Sequence, residues 1–77
     1  VTAVDPSHVD ACLNYARRAE RDARNYDRRA AHFAAIDPDA YADLIAWRRD
    51  GARYHRRWAG FWRRWARTGR QPRLPVE

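Results

Sequence analysis

Apolar residues recur three and four positions apart along two long stretches of this chain. Val9, Cys12, Ala16, Ala19, Ala23, Tyr26, Ala30 and Phe33 form one series. Ala40, Leu44, Trp47, Gly51, Tyr54, Trp58, Phe61 and Trp65 form the other. Such spacing keeps side chains on one face of an α-helix, and no Pro interrupts either run. Asp5-Pro6 precedes the first series and Asp37-Pro38 the second. Asp is a good N-cap, and Pro suits the first helical position because its missing N–H would be unpaired there anyway. A residue before Pro is pushed out of the α region, so the first helix should stop near Ile36. Val4 with Val9, and Ile36 with Tyr41, are positioned as hydrophobic staples. The pattern therefore predicts helices over about 6–36 and 38–68, each roughly 45 Å long at about 1.5 Å rise per residue. So short a connection forces antiparallel neighbours. The expected fold is an all-α, antiparallel two-helix hairpin, one domain over residues 1–77. Thr68-Gly69 should end the second helix, leaving residues 69–77 as a flexible, basic tail containing Pro72 and Pro75.

The two series differ in size. The first is mostly Ala and the second mostly aromatic, which predicts small residues nesting against large ones. A turn centred on Ile36–Asp37 sets Ala16 near Trp58, Ala23 near Gly51 and Ala30 near Asp43–Leu44. Gly51 is a weak point, because Gly inside a helix costs about 1 kcal/mol against Ala. The spacing passes through it without a phase shift, which favours one continuous helix; the alternative is a break at Asp50-Gly51. The halves also match faintly at an offset of 32 residues, Asp5-Pro6 with Asp37-Pro38 and Tyr26 with Trp58. Duplication would explain this, and so would two amphipathic helices built on one cap.

The second helix has more apolar surface than one neighbour can cover. Its aromatic and aliphatic residues occupy roughly half the circumference of a helical wheel. Each aromatic buries about 150–250 Å², so leaving several wet would create a large sticky patch. Leu44, Trp47, Tyr54, Trp58, Phe61, Trp62 and Trp65 are accordingly the expected core and oligomer-interface residues. The simplest remedy is a homodimer forming a four-helix bundle; a dedicated protein partner is the other. This architecture resembles, in shape and size, the small plasmid RNA-binding hairpins that dimerise into four-helix bundles. The likeness carries no site residues.

Charge sharpens the picture. The chain has 16 Lys+Arg against 10 Asp+Glu, a net +6, and every one of the basic residues is Arg. Codon usage in a GC-rich genome, with a bacterial source the expectation, would account for Arg over Lys, but not for where the charge lies. Residues 5–37 hold six acids and six Arg, whereas residues 39–70 hold three acids and nine Arg. Arg49, Arg53, Arg56, Arg57, Arg63, Arg64 and Arg67 fall together, opposite the aromatic arc. The six from 53 to 67 span roughly 21 Å. Arg presents a planar fork suited to phosphate oxygens, and a line of Arg releases counterions from nucleic acid. A solvated face made basic by codon usage and by the helix dipole uses the same residues. Arg48 falls inside the apolar arc, near Asn25, Asp22 and Asp27, and is expected to form an ion pair at the core edge.

Other chemistry is thin. The longest apolar runs are a few residues, too short to span a membrane. The first residues show no apolar h-region, so a cytoplasmic, reducing setting is expected. Cys12 is the single cysteine, which excludes an intrachain disulfide. It shares a face with His8, but reads as core filling rather than as a nucleophile. His8, His32 and His55 are expected opposite Trp65, Tyr41 and Arg18, so no metal site forms from them. No Gly-rich phosphate loop occurs, and the chain is too short to enclose a substrate. No enzyme activity and no cofactor are expected. The leading expectation is a small helical protein, as a homodimer, that contacts nucleic acid phosphates non-specifically. An adaptor that docks another protein through the aromatic surface is the alternative. A cationic amphipathic binder of membrane surfaces is a third, since Arg-Arg-Trp-Ala-Gly-Phe-Trp joins Trp to Arg around a polar face.

Overall fold

A computed structural model describes residues 6–75. It contains two helices, α1 (Pro6–Ile36) and α2 (Ala42–Thr68), packed as a hairpin. Asp5 and Val4, expected to cap and staple α1, lie outside the described residues. The hairpin is antiparallel: the His8 ring lies 5.0 Å from Trp65 at the open end, and Phe33 lies 5.1 Å from Tyr41 at the turn.

The turn is longer than the sequence pattern implies. Asp37 does act as a cap, since its Oδ1 accepts the N–H groups of Asp39 (3.2 Å) and Ala40 (3.1 Å). Tyr41 N–H then reaches the Asp37 carbonyl (3.1 Å), closing one helical turn. That turn does not continue. Ala42 bonds back only to Asp39 (3.4 Å), and the regular ladder restarts with Ile45 N–H on Tyr41 O (2.8 Å). So α2 begins at Ala42, four residues later than expected, and the expected start at Pro38 is corrected. One capped turn of residues 38–41 is spent on reversing the chain.

Register near the middle of the hairpin and the rotation of α2 both differ from expectation, while His8 faces Trp65 as expected. Gly51 lies under Tyr26 rather than opposite Ala23, and His55 meets Tyr26 (5.2 Å) rather than Arg18. The α1 series keeps its expected face: Cys12, Ala16, Ala19, Ala23 and Ala30 are all buried. On α2 the inward line is Ile45, Ala52 and Ala59, with Arg48, His55 and Trp62 half-buried between them. This is a second series with three-four spacing, one residue along from the expected one and so turned by about 100°. Trp47 and Tyr54, expected in the core, are 57% and 43% exposed. Small residues therefore meet small residues across the seam, and the aromatics of α2 flank it.

The slab is thin. Its principal dimensions are 55 × 22 × 10 Å, with a radius of gyration of 15.9 Å. A compact chain of this length would have about 11.5 Å, so much of each helix has no neighbour. The buried set is entirely apolar and mostly Ala.

At its far end α2 stops at Thr68. Gly69 adopts φ 71°, a left-handed conformation that closes the helix by donating its N–H to Trp65 O at 2.9 Å. The tail then turns back. Phe61 points away from the α1 seam, yet is only 6% exposed. Trp58, Trp62 and Trp65 surround its ring at 5.0–5.7 Å, and Pro72 and Pro75 share its cleft.

The two inner glycines of α2 have opposite roles. A Cβ on Gly51 would lie 2.6 Å from Cδ1 and Cε1 of Tyr26, whereas one on Gly60 would meet nothing within 4 Å. Gly60→Ala should therefore raise stability by about 1 kcal/mol through helix propensity alone. Gly51→Ala carries the same propensity gain, but overpacking costs about 1–3 kcal/mol, so it should leave the protein no more stable, or less so. Urea melts of both variants check this; equal stabilisation by the two would show that Tyr26 does not need the gap.

Candidate functional site

The two helices meet along two margins, and these differ in chemistry. On one margin Tyr15, Asp22 and Arg29, spaced by seven along α1, run beside Arg48, His55 and Trp62 of α2. The Tyr15 and Trp62 rings lie 4.8 Å apart. Asp22, Asn25, Tyr26, Arg29, Arg48 and His55 border an open cleft of about 340 Å³. The other margin is ionic. Arg63 donates from Nε to Glu20 Oε1 at 2.9 Å and also pairs with it through its terminal nitrogen. Arg56 pairs with Asp27 through a terminal guanidinium nitrogen alone, seven residues back along α2. Arg49 continues that line toward the turn, where α1 offers no acid. These pairs are exposed, so each is worth about 0–1 kcal/mol; they set the facing of the helices more than their stability.

Arg48 departs from expectation. It makes no ion pair within 4.0 Å among the described residues, although Asp22 borders the same cleft. Its guanidinium carbon lies instead 5.1 Å from the Trp47 ring and 5.7 Å from Tyr26. Such cation–π contacts contribute roughly 0.5–2 kcal/mol. Against this, Arg48 Nε is out of solvent with no hydrogen-bond partner among the described residues.

All seven arginines singled out in the sequence, Arg49, Arg53, Arg56, Arg57, Arg63, Arg64 and Arg67, are exposed on the unbroken helix α2. They do not form one uniform ridge. Arg56 and Arg63 are tied across to α1, and Arg53 pairs with Asp50 one turn back. Arg49, Arg57, Arg64 and Arg67 have no carboxylate within 4.0 Å among the described residues. Arg57 and Arg64 share one line of the helix, about 10.5 Å apart. The tail adds a residue that the sequence pattern did not connect with them: Arg73 lies with Arg57 and Arg64 around one cleft. No local signal marks it, since Gln71 to Pro75 reads as tail wherever it docks.

The aromatic residues form their own cluster. Trp62 and Trp65 stack at 5.7 Å with planes 8° apart, and Trp58 joins them edge-on through Phe61. Leu44, Trp58, Trp62 and Trp65 are half-buried, while Trp47, Tyr54 and Tyr15 remain exposed. Exposed aromatics of this size on one slab amount to an unpartnered apolar strip.

Cys12 is 1% exposed, and its Sγ lies 3.6 Å from His8 Nε2. Burial pushes the thiol pKa up by disfavouring the thiolate. A nucleophile needs the opposite shift and an approach path. Among the described residues no three His, Cys, Asp or Glu gather to hold a metal ion, and no helix is long and apolar enough to cross a membrane.

Two outcomes follow for Cys12. A thiol reagent should react slowly with the native chain at pH 8 and rapidly in denaturant; equal rates would mean an accessible thiol. The folded thiol titrates higher than the unfolded one, so the neutral thiol's contribution to stability is constant below about pH 9 and falls as pH rises beyond it. Cys12→Ala should flatten that alkaline loss in thermal melts.

Comparison with protein-family models, with curated proteins and with solved structures finds no match to this chain.

Proposed function

We infer that the protein is a small nucleic-acid-binding hairpin, contacting phosphates through the outward arginines of α2 without reading base identity. One observation carries this. Arg49, Arg57, Arg64 and Arg67 stand exposed on one rigid helix with no carboxylate partner among the described residues, while the facing acids Glu20 and Asp27 are already used by Arg63 and Arg56. A charge that the fold leaves uncompensated on a straight element is available to a polyanion. Arginine's fork matches phosphate oxygens, and each phosphate neutralised releases counterions.

The working form in this reading is a homodimer. The slab is one helix thick, and Tyr15, Trp47 and Tyr54 are exposed large aromatics on it. A second copy laid on that side would bury them in a four-helix bundle. Arg49 and Arg67 lie on the other side of α2 and would stay outward in both copies, while Arg57 and Arg64 lie at its outer edge, beside Phe61. Exposure of Trp47 and Tyr54 also favours a second reading, in which that strip docks a different protein and the hairpin is an adaptor.

Binding to a DNA duplex should weaken steeply with salt, by about a thousandfold between roughly 50 and 200 mM if six phosphates are neutralised. Arg57→Ala with Arg64→Ala should reduce the slope of log affinity against log salt by about one to two units. Glu20→Gln with Asp27→Asn should tighten binding by freeing Arg63 and Arg56. Electrophoretic shift and fluorescence titrations read all three; no binding to DNA or RNA at low salt would remove the reading. Sedimentation equilibrium should return twice the 9.1 kDa chain mass, and Trp47→Arg with Tyr54→Arg should return the monomer. A soluble monomer of the parent chain would favour the adaptor.

A further inference from the structure

The returning tail makes a second cleft, of about 330 Å³, against the outer side of α2. Arg57 and Arg64 border it from the helix and Arg73 from the tail. All three are exposed, and none has a carboxylate within 4.0 Å among the described residues. Three like charges drawn to one cleft repel one another, and no hydrogen bond among the described residues is seen to hold them there. An anion would relieve that repulsion, and the guanidinium forks can grip phosphate oxygens two at a time.

The remainder of the cleft is apolar. Phe61, 6% exposed, shows it only an edge, and Pro72 and Pro75 lie beside that edge. Gly60 belongs to the same cleft, and a Cβ there would meet no atom within 4 Å; the space therefore reaches the helix backbone. A bare inorganic anion would use the arginines and leave the apolar part wet. A nucleotide unit has both parts, a phosphate and a flat base with an apolar face. The volume sits at the lower end of the roughly 300–1,000 Å³ of small-ligand sites. In a duplex the faces of a base are stacked on its neighbours; in a single strand they are available.

We propose that this cleft takes one unpaired nucleotide of a single-stranded nucleic acid, its phosphate among Arg57, Arg64 and Arg73 and its base against Pro72, Pro75 and the exposed edge of Phe61. The tail is then a clamp, and the protein prefers single strands to duplexes. This rests on the reading of α2 as a nucleic-acid face and adds to it a site and a strand preference.

The test uses the full chain and fluorescence anisotropy with a labelled single-stranded oligonucleotide and a blunt duplex of the same sequence. Gly60→Leu should fill the cleft while improving helix propensity, and Arg73→Ala removes the tail's charge without touching a helix. The parent chain should favour the single strand. Each variant should lower the ratio of single-strand to duplex affinity several-fold, Gly60→Leu by closing the space for the base and Arg73→Ala by removing a phosphate contact that only the clamped strand makes, with the helical melt of Gly60→Leu retained. If both variants keep the parent ratio while Arg57→Ala with Arg64→Ala still weakens binding, the clamp is wrong and the arginine face stands. If the parent chain binds neither strand form at low salt, both fall together.

Discussion

Two lines of small side chains in contact govern this molecule. Ala16, Ala19, Ala23 and Ala30 of α1 are buried at the seam with Ala52 and Ala59 of α2. With no bulk between them the helix backbones can approach closely, and the hairpin is thin as a result. Alanine buries little apolar area, so the seam is weakly driven by the hydrophobic effect. It works by letting everything larger lie at its two edges. The aromatics stack along one edge, where each ring covers its neighbour, and the ion pairs of Arg56 and Arg63 close the other. Gly51 serves the same approach: it has no Cβ where Tyr26 crosses over it.

A seam of this kind decides which charges are used. Glu20 and Asp27 stand seven residues apart on α1 and meet Arg63 and Arg56, seven apart in the opposite direction on α2. Once these acids are engaged, the remaining arginines of α2 have no neighbour of opposite charge to fold onto. Asp50 takes Arg53 within its own helix. The basic character of the outer side is therefore a residue left by internal pairing, more than a simple excess in the composition. Arg48 shows the reverse case. It shares a cleft with Asp22 yet lies over two rings, Tyr26 and Trp47, instead of pairing with the acid.

The tail has an influence out of proportion to its length. Gly69, in a left-handed conformation, stops α2 and turns the chain back, so that Pro72 and Pro75 reach Phe61. Phe61 would otherwise stand on the same line of α2 as Trp47 and Tyr54, and would be wet as they are. The same return brings Arg73 to Arg57 and Arg64. One glycine thus links the burial of an aromatic ring to the gathering of three positive charges.

Local order could be read directly from the chain. Two helices, an Asp37 cap between them, continuity through Gly51 and a stop at Thr68-Gly69 follow from periodicity and capping, which involve residues within a turn or two of one another. The location of the excess arginine was equally plain, because all seven candidates lie on one helix and counting suffices. Tertiary packing decided the rotation of α2. That helix carries two overlapping series of three-four spacing, one through Trp47, Tyr54 and Phe61 and one through Ile45, Ala52 and Ala59, and the larger residues suggested the wrong one. Which series turns inward depends on the width of the gap offered by α1, and an alanine-lined partner admits the smaller. Tertiary packing also chose which arginines found carboxylates, lengthened the turn by one capped loop, and returned the tail to Phe61. Each of these is a meeting of residues distant along the chain, and spacing within a single helix has no means of expressing it.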